Sequence, residues 1–160
     1  MTEYGDVIDE KDKVLRVAER KDIEDNALLH RSASVVVKNS KGEILVHKRD
    51  SSRRLYPGLL DIKFGGMAQS GEGFEETALR ELEEESGIKG VELKFLFSYR
   101  FNGDNNNVSA RVYLCTYNSP YKIDNSEVEW AKFMSIDEIK KTENELSPTA
   151  KLVFQRITKK

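Results

Sequence analysis

Between Gly66 and Ile88 the chain carries a set of acids whose spacing suits metal chemistry: Gly66, then Glu72, then Arg80-Glu81-Leu82-Glu83-Glu84-Glu85-Ser86-Gly87-Ile88. On a helix, Glu81, Glu84 and Glu85 stand at i, i+3 and i+4, so their carboxylates share a face about one turn long. Like charges stacked in this way repel, which is costly for a helix with no further task. A hard divalent cation bound through oxygen removes the cost, and Mg²⁺ is the ion expected, with Mn²⁺ as the alternative. A second group of charged side chains, His47, Lys48, Arg49, Arg53 and Arg54, has the composition of a phosphate clamp. Its plainer reading is a strand end that turns basic as it enters an exposed loop.

These side chains need elements to hold them. Phe74, Ala78 and Leu82 recur every fourth residue and give the helix an apolar stripe that docks on a core. Gly87 follows the last glutamates as a stop, and Gly71-Glu72-Gly73 reads as a turn before the start, so the unit is loop, helix, loop. Upstream, Gly5 to Asp9 and Lys13 to Glu19 read as a hairpin, followed by a short helix around Lys21 to Ala27. Ser32 to Lys38 and Glu43 to Lys48 flank the turn Asn39-Ser40-Lys41-Gly42, and Asp50 to Asp61, with Pro57-Gly58, reads as a loop. Downstream, Val91 to Phe101 and Val108 to Tyr117 are strands joined by the polar run Asn102 to Asn107, and Trp130 to Met134 is a further strand. One helix follows Ser135, and another, capped by Ser147 with Pro148 at its first position, runs to about Ile157. Strands on both sides of a central helix predict a mixed sheet between helices, an α/β/α sandwich.

The chain has 160 residues and no linker-like break, so residues 1–160 are expected to form one domain with an N-terminal β-hairpin extension at 1–20. That hairpin could complete the sheet, cover the site or join two copies in a homodimer. Charged residues make up 34% while the net charge is only −2, which leaves no basic excess for nucleic acid and points to small partners. No apolar run approaches a membrane span, and the stretch from Met1 to Asp6 lacks the basic and apolar regions of a signal peptide. The lone Cys115 excludes an intramolecular disulfide and fits a reducing, cytoplasmic setting.

At these residues the sequence resembles the Nudix family. Its signature is glycine, five residues, glutamate, seven residues, then Arg-Glu-apolar-x-Glu-Glu-x-Gly-apolar, met here at Gly66, Glu72, Arg80, Glu81, Leu82, Glu84, Glu85, Gly87 and Ile88. The resemblance implies the family's α/β/α sandwich and hydrolysis of a nucleoside diphosphate linked to another group, by water attacking phosphorus. It implies a metal held by Glu81, Glu84, Glu85 and the Gly66 carbonyl, with Glu84 as the favoured general base and Glu85 next to it. Glu72 and Arg80 would form a supporting pair, and Glu127 is a candidate acid from outside the motif. The substrate implied is a small diphosphate compound, and Arg49, Arg53 and Arg54 would bind its phosphates. His30-Arg31, His47-Lys48-Arg49 and Tyr56-Pro57-Gly58 further resemble the branch related to isopentenyl diphosphate isomerase. That isomerase chemistry needs a cysteine before the motif glycine and a histidine after it, where this chain has Gly65 and Met67. The rival expectations are therefore isomerase-like activity and a non-catalytic nucleotide-binding module, the latter opposed by the intact glutamates.

Several residues have a bland reading beside the functional one. Glu75, Glu76 and Glu83 read as a solvated face, and Glu127 as equally well an exposed loop acid. His30 reads as structural, Cys115 as a buried thiol, and Tyr99 and Tyr113 as core aromatics rather than stacking platforms.

Overall fold

Valines that alternate along one strand give this sheet two buried faces. In β3 (His30–Lys38), Val35 and Val37 point into one apolar cluster and Val36 into another, because successive strand residues face opposite ways. The structure, a computed structural model, describes residues 2–103 and 105–159. Met1, Lys160 and Asp104 of the expected polar linker lie outside the described residues.

The remaining strands are β1 (Tyr4–Ile8), β2 (Val14–Glu19), β4 (Ile44–Arg49), β5 (Leu60–Asp61), β6 (Phe64–Met67), β7 (Lys94–Gly103), β8 (Asn106–Thr116) and β9 (Val128–Met134). Together with β3 they make a nine-stranded sheet. It is mixed: β3 runs parallel to β8, whereas β3–β6, β7–β8, β4–β9 and β1–β2 are antiparallel. The hairpin β1–β2 joins the sheet at Val7, which pairs with His30.

Helix α1 (Arg20–Asp25) follows β2; α2 (Phe74–Ser86) is the glutamate helix; α3 (Ile136–Lys141) and α4 (Pro148–Thr158) close the chain. Ala78 and Leu82 of α2 are fully buried against Val35, Leu45 and Phe64, while Ile139, Val153 and Phe154 of α3 and α4 pack on the opposite face with Val36, Val46 and Val112. The fold is thus the expected α/β/α sandwich with a mixed sheet. Three helix ends have a clear local cause. Gly87 sits at φ 73° and caps α2 through its N–H to the Glu83 carbonyl, a conformation glycine adopts without penalty. Ser135 and Ser147 accept from the third backbone N–H of α3 and α4. Among the described residues, no helix is long and apolar enough to cross a membrane.

Two strands were not expected. β5 takes the last two residues of the predicted loop, Leu60 and Asp61, which pair with Lys48 and His47 of β4; β6 falls between that loop and the predicted helix and pairs Gly65 with Ser34 and Gly66 with Ala33. They pair because glycine lets the two backbones close up: a Cβ at Gly65 would collide with the Ala33 carbonyl and with Ser34.

Candidate active site

Helical periodicity delivers Glu81 and Glu85 to one side of α2, both buried, under the backbone of β6. The Gly65 N–H donates to Glu85 Oε1 at 2.9 Å. At Gly66, a Cβ would lie 2.7 Å from Glu81 Oε1, so the glycine is what allows strand and carboxylate to approach. The third acid arrives from elsewhere. Lys122 N–H donates to the Ser86 carbonyl at 3.0 Å and Asp124 N–H to the Glu85 carbonyl at 2.9 Å. These bonds satisfy open carbonyls at the end of α2 and pin the following segment there. That segment brings Glu127 beside Glu85, and one carboxylate oxygen from each of Glu81, Glu85 and Glu127 lies within 4.8 Å of the others.

Glu84 departs from the expected arrangement. It is the i+3 residue, rotated off the line joining Glu81 to Glu85, and its side chain is 50% exposed at the rim, with Arg80 Nη1 3.3 Å away. Glu75, Glu76 and Glu83 are solvated, as read from their positions.

Arg80 fastens the loop to the helix. Its Nε and Nη2 donate to the two oxygens of Glu72 at 2.7 and 2.9 Å, Nη2 also donates to the Met67 carbonyl at 3.1 Å, and Nη1 lies 3.0 Å from Glu81 Oε1. Such a two-pronged pair fixes direction as well as distance. Gln69 N–H and Thr77 Oγ1 complete the Glu72 carboxylate at 3.0 and 2.7 Å.

The electrostatics follow from burial and neighbours. Burial, only partly offset by Arg80, pushes Glu81 up to about 7. Burial and the adjacent Glu81 raise Glu85 well above the usual carboxylate range. For Glu72, burial works in the same direction but loses to the hydrogen bonds from Arg80, Gln69 and Thr77, which hold it down at about 2. Two buried acids that resist ionisation beside a third are a set that a cation would relieve. The donors are all hard oxygens, which fits a divalent metal such as those bound by carboxylates.

A cleft of about 240 Å³ opens beside this cluster, its wall including Gly65, Gly66 and Glu85. Three of the sequence-predicted cations line it: Arg49, Arg53 and Arg54. Arg53 Nη1 stands 3.7 Å from both Glu85 Oε2 and Glu127 Oε2, and Arg54 pairs with Asp25 of α1. Arg49 donates from Nε to the Leu55 carbonyl at 2.9 Å. The other two members of the basic group do not belong there. His47 is fully buried, stacked on Phe64 at 4.3 Å, and burial lowers it to about 4, so it is a neutral core ring. Lys48, on the alternate strand face, pairs with Glu129 at 3.6 Å.

Sequence reasoning did not name Arg20 or Lys63, which also line the cleft. Lys63 lies 3.3 Å from Asp61 Oδ2 and 3.0 Å from Thr149 Oγ1, and this buried pair keeps it charged. No local pattern announces such a lysine, since its partners are set by packing. His30, Tyr99, Tyr113 and Cys115 are buried.

Comparison with known proteins gives the family. The family described as NUDIX domain matches residues 28–155. An uncharacterized Nudix hydrolase of Yersinia pestis is 33% identical over 146 residues, covering 91% of this chain and 80% of its own. The uncharacterized Nudix hydrolase YfcD of Escherichia coli K12 is 32% identical over 147 residues, with 92% and 82% covered. Among solved structures, DR0079 of Deinococcus radiodurans superposes with a TM-score of 0.84 at 21% identity, covering 98% of this chain and 100% of that one. The NUDIX domain of Shewanella oneidensis NrtR, solved with ADP ribose, gives 0.68 at 17% identity over 81% and 85%. At those identities the structural likeness speaks for the fold.

Proposed function

The chain belongs to the Nudix family of hydrolases, and from that premise we propose that it hydrolyses the diphosphate bond of a nucleoside diphosphate linked to another group. Water is the nucleophile and phosphorus the centre attacked. The observation that carries the reading is the convergence of Glu81, Glu85 and Glu127 within 4.8 Å beside a cleft lined by arginines. Mg²⁺ is the proposed ion and Mn²⁺ the alternative, held by these three carboxylates and the Gly66 carbonyl. When bound, it supplies charge screening at the diphosphate and a lowered pKa for water.

The protein's own groups then divide the work. Glu84 takes the proton: its half-exposed carboxylate is open to water, whereas Glu85 is committed to the Gly65 N–H and faces Arg53. Glu72 acts through Arg80, which holds Glu81 and Glu84 in place. Arg53, Arg49 and Arg54 bind phosphate oxygens along the cleft. A cleft of this size suits a small molecule rather than a nucleic-acid track. Room weighs against isomerase chemistry, because a side chain at Gly65, where the thiol would stand, would collide with β3.

The test is release of phosphate and nucleotide across a panel of nucleoside di- and triphosphates, sugar nucleotides, ADP-ribose, dinucleoside polyphosphates and isopentenyl diphosphate, with Mg²⁺. Glu85→Gln runs in parallel. Nucleotide hydrolysis abolished by the substitution is expected; double-bond migration without hydrolysis, or turnover unaffected by the substitution, would overturn the reading.

A further inference from the structure

We propose that Tyr56 and Asn106 form a strap that positions the Arg49 guanidinium as the phosphate anchor of the cleft, making both of them positioning residues for substrate affinity. The inference rests on the phosphate-binding role given to Arg49 above.

Arg49 differs from the other cleft cations in its partners. Arg20 pairs with Glu3 and Glu24, Arg53 with Glu85 and Glu127, Arg54 with Asp25, and Lys63 with Asp61. Among the described residues, Arg49 has no carboxylate within ion-pair distance; its contacts are the Leu55 carbonyl at 2.9 Å and the Tyr56 ring, whose centroid is 6.0 Å from the guanidinium carbon. Burial and the nearby charge of Arg53 lower its pKa, as expected of a cation whose charge is under-compensated. A phosphate in the cleft supplies the missing partner.

A long arginine left loose would lose this advantage to the entropy of ordering it, and the loop after β4 prevents that. The loop closes on Arg49 itself: Arg49 N–H donates to the Leu59 carbonyl at 2.8 Å and Gly58 N–H to the Arg49 carbonyl at 3.0 Å. Inside it, Tyr56 takes φ 52°, a left-handed conformation that is costly for a bulky residue and that marks a position held by its surroundings. The holder comes from across the cleft. Asn106, the first residue of β8 and buried, donates from Nδ2 to the Tyr56 hydroxyl at 3.1 Å. Its amide is thus spent on fixing the tyrosine whose ring and preceding carbonyl hold Arg49.

The experiment measures binding of inorganic pyrophosphate with Mg²⁺ by calorimetry, and KM and kcat on whichever substrate the panel yields. It uses Asn106→Ala, Tyr56→Phe, Arg49→Ala and the double variant Asn106→Ala/Arg49→Ala. Loss of one hydrogen bond predicts that Asn106→Ala and Tyr56→Phe each weaken pyrophosphate about five- to tenfold and raise KM alike, with kcat little changed. In the Arg49→Ala background, Asn106→Ala should add nothing, which a merely structural staple would not produce. Unchanged affinity in both single variants, an undiminished effect without Arg49, or no pyrophosphate binding by the wild type would overturn the proposal. Should Asn106→Ala fail to fold, Tyr56→Phe, which keeps the ring, decides it. A protein that shows this binding pattern but hydrolyses nothing would retain the strap and lose the hydrolase mechanism.

Discussion

Removing the charge of Glu81 should stabilise the metal-free protein while destroying its function, and the size of the gain can be worked from the site. Burial raises the Glu81 carboxyl from 4.5 to about 7. A carboxyl raised in the folded state keeps its proton where the unfolded chain has already released it, so folding loses stability as pH climbs from about 4.5 to 7. Below that window there is no penalty. Above it the penalty is complete, and a shift of that size corresponds to about 3 kcal/mol at roughly 1.4 kcal/mol for each pKa unit. Glu81→Gln cannot ionise and escapes the penalty. In chelator-treated buffer the variant's advantage over wild type should therefore grow by about 2.5 kcal/mol from pH 5, where part of the penalty is already present, to pH 8, or roughly 5–10 °C in Tm for a chain of this length.

Denaturant unfolding of both proteins at the two pH values is the assay, since the change in their difference cancels any constant packing effect of the amide. Adding Mg²⁺ at the higher pH should reverse the ranking, because binding to the folded wild type stabilises it by about 4.1 kcal/mol at a thousandfold excess over Kd, more than the variant gains. A stability gap that is the same at both pH values would refute the reasoning, for it would mean that Glu81 carries no buried charge for a metal to neutralise.

Three further outcomes follow from the same geometry. Glu84→Gln should lower kcat by about 10²- to 10⁴-fold with Mg²⁺ affinity retained, whereas Glu85→Gln and Glu127→Gln should weaken Mg²⁺ itself; metal titration of the three variants separates the roles. Glu72→Gln should cost about 1–2 kcal/mol at neutral pH, after allowance for solvent screening, and the wild type's advantage should vanish as pH falls from 4.5 towards 2, because a carboxyl held low stabilises only while ionised. Gly65→Cys should destabilise by about 1–3 kcal/mol through overpacking against β3 and should confer no isomerase activity; an unchanged Tm would show that β6 has more room than its pairing with β3 implies.

How much of this was legible in the sequence depended on the range over which each feature is determined. Helix α2 was readable almost to the residue, because Phe74, Ala78 and Leu82 repeat with the helix and Gly87 stops it within one local segment. Strands β3, β4, β7, β8 and β9 were found from their β-rich and apolar runs, with ends shifted by a few residues. By contrast β6 was invisible: two of the four residues in Phe64-Gly65-Gly66-Met67 are glycines, which are depleted in strands, and the segment pairs because β3 lies beside it and the glycines permit the approach. His47 was read with its basic neighbours, although the alternation of β4 places it on the same face as the fully buried Leu45. The pair Glu72–Arg80 was anticipated from the motif, yet its second function, tying β6 through the Met67 carbonyl, needed the fold.

The centre itself divides along the same line. Glu81 and Glu85 meet by helix geometry, but Glu127 and Arg53 reach them from two loops that are distant in sequence, joined where Asp50 N–H donates to the Glu127 carbonyl at 3.1 Å. The pairing of β4 with β9, which ends at Arg49 opposite Val128, explains why an acid and a base arrive together: the two loops leave adjacent strands at the same end. Arg80, although it touches Glu81, is already matched by both oxygens of Glu72, so Arg53, 3.7 Å from Glu85 and Glu127, is the one further cation paired with the three acids among the described residues. Three carboxylates against one guanidinium leave two negative charges when all are ionised, the charge that one divalent cation balances. In the proposed mechanism the motif's glutamates thus set the capacity for a metal, and the loops outside the motif set how much of that charge would remain for it and how close to a substrate phosphate it would lie.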